Sequence, residues 1–252
     1  MAPPTGGNTN EPPVPGAAGY ALRLSGSGAH ADLGATQAAL GLDGTGFAFG
    51  AWIRTNSDPA DSGAVLLSAG PYVIRWSQVR GLHFSAGSQA AASSGKMLND
   101  GAWHYVAASA TFDAASISVD GGNATVAVIP QIEGQVAAAL VVSATDTVLL
   151  GATSTKSSGG FFSGDIDEVL IFNQAKPVTE LWAAAGTPAA AAAAAGGVVA
   201  VLTFNDCCDS GYLVNAVAGK PQGVVRSGGA LVGSSLPVVD AVTVSEVGPA
   251  RY

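Results

Sequence analysis

The chain has 252 residues, enough for one large or two modest domains. It carries 18 acidic and 10 basic residues, a formal net charge of −8, and only 11% of its residues are charged. That balance argues against a surface for nucleic acid or anionic membranes, both of which need clustered Lys and Arg. Alanine accounts for 48 residues and glycine for 34, a composition that fits short strands joined by many turns better than long surface helices.

The opening stretch, residues 1–19, is rich in Pro, Gly and Asn and reads as an extended segment. It has neither the basic start nor the apolar run of a signal peptide. Ala21-Leu22-Arg23-Leu24 begins the first strand, and Ala31-Asp32-Leu33 is a short second piece. In Phe47 to Thr55 the period of two places Phe47, Phe49, Ala51 and Ile53 on one face and Trp52 with Arg54 on the other. Ala64–Ser68 and Tyr72–Trp76 form a hairpin around Ala69-Gly70-Pro71, and Gly81–Ser85 is a further strand. Trp103–Ala110 follows the Asn99-Asp100-Gly101 turn, and Ser116–Asp120 ends in Gly121-Gly122. Thr147–Gly151 is another strand. Phe161–Asn173 carries the strongest pattern, with Ile166, Glu168, Leu170 and Phe172 alternating against Asp167, Val169 and Ile171. Pro177–Ala185 reads as one short helix, with Pro177 in its first turn and Thr179 or Glu180 at its acidic start.

The fold class is therefore all-β, an antiparallel β-sandwich of jelly-roll type, with room for about twelve strands between Tyr20 and Ala185. Thr187 to Gly197, with its run of seven alanines, reads as a linker and not as the centre of a membrane helix. The expected organisation is an extended segment at 1–19, the jelly roll at 20–185, an Ala/Gly linker at 186–197 and a C-terminal β segment at 198–252. The only two cysteines, Cys207 and Cys208, are adjacent, which excludes a disulfide framework and a four-Cys zinc site.

Five blocks stand in order: Leu22-Arg23-Leu24-Ser25-Gly26; Phe49-Gly50-Ala51-Trp52-Ile53-Arg54; Trp103-His104-Tyr105-Val106-Ala107; Ile117-Ser118-Val119-Asp120-Gly121; and Phe162-Ser163-Gly164-Asp165-Ile166-Asp167-Glu168-Val169-Leu170-Ile171-Phe172-Asn173. This series resembles the laminin G-like, concanavalin A-like lectin and glucanase jelly rolls. Such repeats usually open with one more strand, absent before Leu22, but Val199–Phe204 has its character. The C-terminal segment therefore either supplies the missing strand, in cis or to a neighbouring copy, or opens a second repeat. In the first case Val224 to Val247 adds further strands to the same body.

The resemblance implies a structural, lectin-like module of a larger extracellular or cell-surface assembly, active in adhesion and binding protein subunits or glycans, with a carbohydrate-binding lectin as the alternative. It also implies that Asp167 is a possible ligand of a structural calcium; the other role open to it is a hydrogen bond to backbone amides. Tyr72, Arg75, Trp76 and His83 are the best local cluster for stacking on a sugar ring. Asn123-Ala124-Thr125 is a possible glycosylation site, at Asn123.

A glycoside hydrolase is the least expected function, and no enzyme is expected. Retaining hydrolysis needs two carboxylates on one face about 5 Å apart. In the one acidic cluster, Asp165 and Asp167 share a face while strict alternation turns Glu168 away. No Gly-x-Ser-x-Gly elbow occurs, and His104 reads as a strand residue.

Overall fold

The computed structural model describes residues 19–42, 44–59, 63–87, 90–128, 140, 144–153, 160–186, 196–204, 212–226 and 229–234. In chain order the strands are β1 (Gly19–Ser25), β2 (His30–Thr36), β3 (Gly46–Arg54), β4 (Ala64–Ala69), β5 (Tyr72–Ser77), β6 (Gly81–Ala86), β7 (Ala90–Ser93) and β8 (Trp103–Thr111). Then follow β9 (Ala114–Val119), β10 (Thr125–Val128), β11 (Thr147–Leu150) and β12 (Ser163–Phe172). After the helix α1 (Val178–Ala184) come β13 (Val198–Leu202), β14 (Tyr212–Leu213), β15 (Gly223–Arg226) and β16 (Ala230–Ser234).

These strands build two antiparallel sheets. The first runs β10-β9-β8-β3-β12-β1-β16, with β13 also paired to β12; the second runs β14-β15-β2-β11-β4-β5-β6-β7. The inner face of β3 is the one that its period of two announces: Phe47, Phe49, Ala51 and Ile53 all lie in the core between the sheets. Leu22, Leu24, Trp76, Phe84, Ile166, Val169 and Ile171 join them there. Phe47 of the first sheet stacks on Tyr72 of the second, with ring centroids 4.4 Å apart. A second, smaller core lies on the outer face of the first sheet. There α1 brings Val178, Leu181 and Trp182 down onto Trp52, Tyr105, Leu170 and Phe172. The Trp52 indole donates to the Ala185 carbonyl at 3.0 Å, and the Trp52, Tyr105 and Trp182 rings meet pairwise at 5.3–6.3 Å. Tyr105 fits because Gly50 has no side chain; a Cβ there would strike the phenol.

The strand β12 is the axis of the first sheet. One edge pairs with β3 along its length. The other is shared: β1 takes Ser163 to Ile166, and β13 takes Val169 to Phe172. The segment expected to supply a strand does so in cis, over Val198–Leu202. Farther on, β15 pairs with β2 and β16 with β1. Residues 235–247 of the expected C-terminal strands, the two cysteines and the segment 1–18 lie outside the described residues.

Trp103 is half-buried, while Trp52, Phe49 and Phe172 are buried. One expectation needs correction: alternation along β12 is broken. Ile166 and Val169 both face the core, so Asp167 and Glu168 between them form a bulge, and the register with β3 shifts there. Glu168 adopts φ +50 within this bulge, between the core residues Ile166 and Val169. It therefore does not turn away to the opposite face from Asp167. Among the described residues, α1 is too short to cross a membrane, and no helix is long and apolar enough to do so.

Replacing Trp52 by Ala removes an indole that is 1% exposed and should cost about 3–5 kcal/mol in denaturant unfolding. The half-buried Trp103→Ala should cost clearly less. Equal losses would contradict the assignment of Trp52 to the covered face.

Candidate functional site

The residues that strand pairing brings together are not those that lie close in sequence. Across the first sheet the register aligns Arg23 with Asp165, Asp165 with Arg54, and Arg54 with Trp103. One transverse row thus reads Arg–Asp–Arg–Trp over β1, β12, β3 and β8, and neighbours in such a row touch. Arg23 Nε donates to Asp165 Oδ1 at 2.8 Å and its Nη2 to Oδ2 at 3.1 Å. Arg54 Nε and Nη2 both donate to Oδ2, at 3.0 and 2.7 Å. The Arg54 guanidinium also sits 4.7 Å over the Trp103 ring. Burial alone would raise the Asp165 carboxyl; the hydrogen bonds from Arg23 and Arg54 outweigh it and hold the group below the usual carboxylate range.

Arg23, Asp165 and Arg54 of this row form one wall of an open pocket of about 740 Å³. The remaining lining comes from the end of β1, the start of β12 and the loop after β3, including Ser25, Ser163, Gly164, Thr55, Asn56 and Ser57, together with Gly101. Hydrogen bonds hold that loop in place. Thr55 Oγ1 donates to the Ser163 carbonyl at 2.7 Å, the Ser57 amide donates to Thr55 Oγ1 at 2.9 Å, and the Trp76 indole donates to the Ser57 carbonyl at 3.1 Å. Gly164, at φ +150, lets β12 run close under the Arg54 carbonyl, where no Cβ would fit.

The structure separates the expected sugar-stacking cluster. Tyr72 and Trp76 are fully buried in the core between the sheets, so neither offers a ring face to a ligand. Arg75 and His83 are half-buried and face each other across β5 and β6 on the opposite side of that sheet. Burial, with Arg80 and Arg75 nearby, lowers the His83 pKa.

Asp167 is 3% exposed and accepts the Glu168 amide at 2.8 Å, the backbone role left open to it. Burial, with Glu168 alongside, pushes its carboxyl up to about 8, and burial pushes Glu168 up to about 7. Glu168 Oε2 is buried without a hydrogen-bond partner among the described residues. A calcium ion takes six to eight oxygens. These two carboxylates are oxygens of the right kind, but no third acidic or imidazole side chain joins them among the described residues. The side chains fit only part of a calcium shell. Asn123 is exposed in the turn between β9 and β10.

At the start of β8, next to Trp103, His104 lies between two carboxylates. Its Nδ1 is 2.8 Å from Asp120 Oδ2 and its Nε2 is 3.0 Å from Asp100 Oδ1, while Lys96 Nζ pairs with Asp120 at 2.7 Å. The cluster ties the Asn99-Asp100-Gly101 turn to the end of β9. It braces the fold beside the pocket and leaves neither imidazole nitrogen free to act as a base.

The family model described as the concanavalin A-like lectin/glucanases superfamily, of laminin G type, matches residues 25–181. The chain belongs to that superfamily. Among solved structures, this superfamily member is similar to a candidate carbohydrate-binding protein of Bacteroides ovatus, at 17% identity and a TM-score of 0.64. The match covers 87% of this chain and 61% of that one, so the chain spans less than two thirds of its neighbour. It is also similar to the heptameric SAP-like pentraxin of Limulus polyphemus, at 12% identity and a TM-score of 0.55, over 84% of this chain and 94% of the pentraxin. At these identities the likeness is one of fold. Comparison with curated proteins finds no match.

The His104 cluster gives a pH test. The hydrogen bond to Asp120 raises the His104 pKa above 6.5; burial opposes it and Asp100 reinforces it. A folded-state pKa above the unfolded one contributes stability that is complete below about pH 6.5 and is lost as pH rises through the folded value. The melting temperature of His104→Gln should therefore fall less than that of the wild type between pH 6 and pH 8. Parallel pH profiles would show that the cluster does not couple protonation to folding.

Proposed function

We propose that the protein is a non-catalytic glycan-binding module whose ligand enters the pocket beside Arg54, Asn56 and Ser57. The observation that carries this reading is the pocket itself. It has a wall of fixed guanidinium groups and a rim of hydroxyl and amide side chains, the mixture of groups that orients a polyol. Membership of the lectin and glucanase superfamily and likeness to a candidate carbohydrate-binding protein support it.

The absence of catalysis in this reading is supported by the state of the acids. Asp165 already accepts four hydrogen bonds from two guanidinium groups. Asp167 and Glu168 are buried, whereas a hydrolase needs two carboxylates that reach the sugar. The place of action is extracellular or at the cell surface, which the exposed Asn123 of the glycosylation triplet supports. Protein subunits of such an assembly are the second class of partner. The observation that favours them is the edge strand β10, whose Val126 and Val128 side chains are exposed. A structural calcium at Asp167 belongs to the same reading, on the strength of the unpartnered Glu168 Oε2.

A glycan array should show specific binding that Ser25→Trp, at the exposed pocket rim, weakens at least tenfold with no polysaccharide cleaved. Binding untouched by Ser25→Trp would move the site elsewhere, and cleavage would refute the non-catalytic reading. For the metal, chelator should lower the melting temperature of the wild type and leave that of Asp167→Ala unchanged. An unaltered wild-type melting temperature would remove calcium.

A further inference from the structure

We propose that Arg23 and Arg54 select an acidic sugar, a carboxylate- or sulfate-bearing residue of a glycan, in the pocket; this rests on the glycan-binding reading above. Of the residues lining the pocket only Arg23, Arg54 and Asp165 carry charge, two cations against one anion. A single arginine would neutralise Asp165, and a ladder built only to join strands needs no second one. The surplus positive charge is unusual in a chain of net charge −8.

The donors are also incompletely used. Each guanidinium has five N–H groups, and each spends two on Asp165. Three on each arginine therefore remain without a partner among the described residues. Neither side chain is shut inside the fold: Arg23 is 54% exposed and Arg54 21%. Asp165, with all four bonds taken, serves as the fixed post between them. Trp103 lies under the Arg54 guanidinium plane, which holds that fork in one orientation before any ligand arrives. A planar fork fixed in advance matches the paired oxygens of a carboxylate or sulfate and loses little freedom on binding. Gly101 and Gly164 place bare backbone on the lining, where a sugar ring can approach closely. Arg23 has Leu22 and Leu24 on either side in β1, both directed into the core, so its outward position follows from the pleat.

The test is calorimetric titration of the full chain with four probes: a hexagalacturonate, its neutral methyl ester, a sulfated galactan hexamer and unsulfated galactan. The expected result is at least tenfold tighter binding of an acidic probe than of its neutral counterpart. That advantage should shrink between 50 and 300 mM salt, as a charge contact at a pocket mouth must. Arg23→Gln keeps the Arg54–Asp165 pair, so the fold should persist, with one cooperative thermal transition as in the wild type. It should weaken the acidic probe far more than the neutral one and so erase the preference for acid. Preference for either the uronate or the sulfated probe bears the proposal out and tells which acid is read. Equal binding of acidic and neutral probes, unaltered by Arg23→Gln, would overturn it while leaving the glycan-binding reading intact. If no oligosaccharide binds, in this titration or on an array, the glycan-binding reading falls, and this proposal with it.

Discussion

One strand holds the first sheet in register. Ser163–Phe172 pairs with β3 on one edge, and its other edge is divided between two segments far apart in the chain. Strand β1 covers the first half and β13 the second. Without β13, the backbone of Val169 to Phe172 would lose its partners on that side, and Ala200 and Leu202 would leave the core between the sheets. The bulge at Asp167–Glu168 sits where the edge passes from one partner to the other. It resets the strand so that Val169 and Ile171 still face inward. The cost is two carboxylates packed under cover without a cation beside them among the described residues.

The pocket is a consequence of the same strand. Asp165 can bind two arginines because β12 lies between β1 and β3, and register alone puts Arg23 and Arg54 on its flanks. Trp103 enters the row because β8 is the next strand along. The loop after β3 is then pinned through Thr55 to the Ser163 carbonyl at the start of β12. Binding and folding therefore share parts: the ion pairs that lock the sheet edge also present the guanidinium groups to a ligand.

Much of this was legible in the residues. The strand positions and the inner face of β3 follow from period-two patterns and turn residues, whereas the strand after the alanine run was implied by the family resemblance, which left open whether it completes this body or opens a second repeat. The sugar-stacking cluster was misread for a reason its own pattern contains. In Tyr72-Val73-Ile74-Arg75-Trp76 the pleat puts Tyr72, Ile74 and Trp76 on one face, with Arg75 on the other. Nearness in sequence had grouped residues that the pleat separates. The bulge in β12 left no comparable mark, since nothing about Glu168 announces a positive φ. The Arg–Asp–Arg–Trp row was invisible because it depends on four strands at one register, and register is a property of the assembled sheet. Arg23 and Arg54 did carry a hint, since each stands beside a core aliphatic residue at a position that must face outward.

The dependence of the sheet on its late strand can be measured by removing residues 187–252 and following unfolding in denaturant. With β13, β15 and β16 gone, the truncated chain should unfold at clearly lower denaturant concentration or fail to stay soluble, because β12, β2 and β1 each lose a paired neighbour. A truncated chain as stable and as soluble as the whole would mean that β12 holds its register without β13, and would contradict the division of its edge as the basis of the fold.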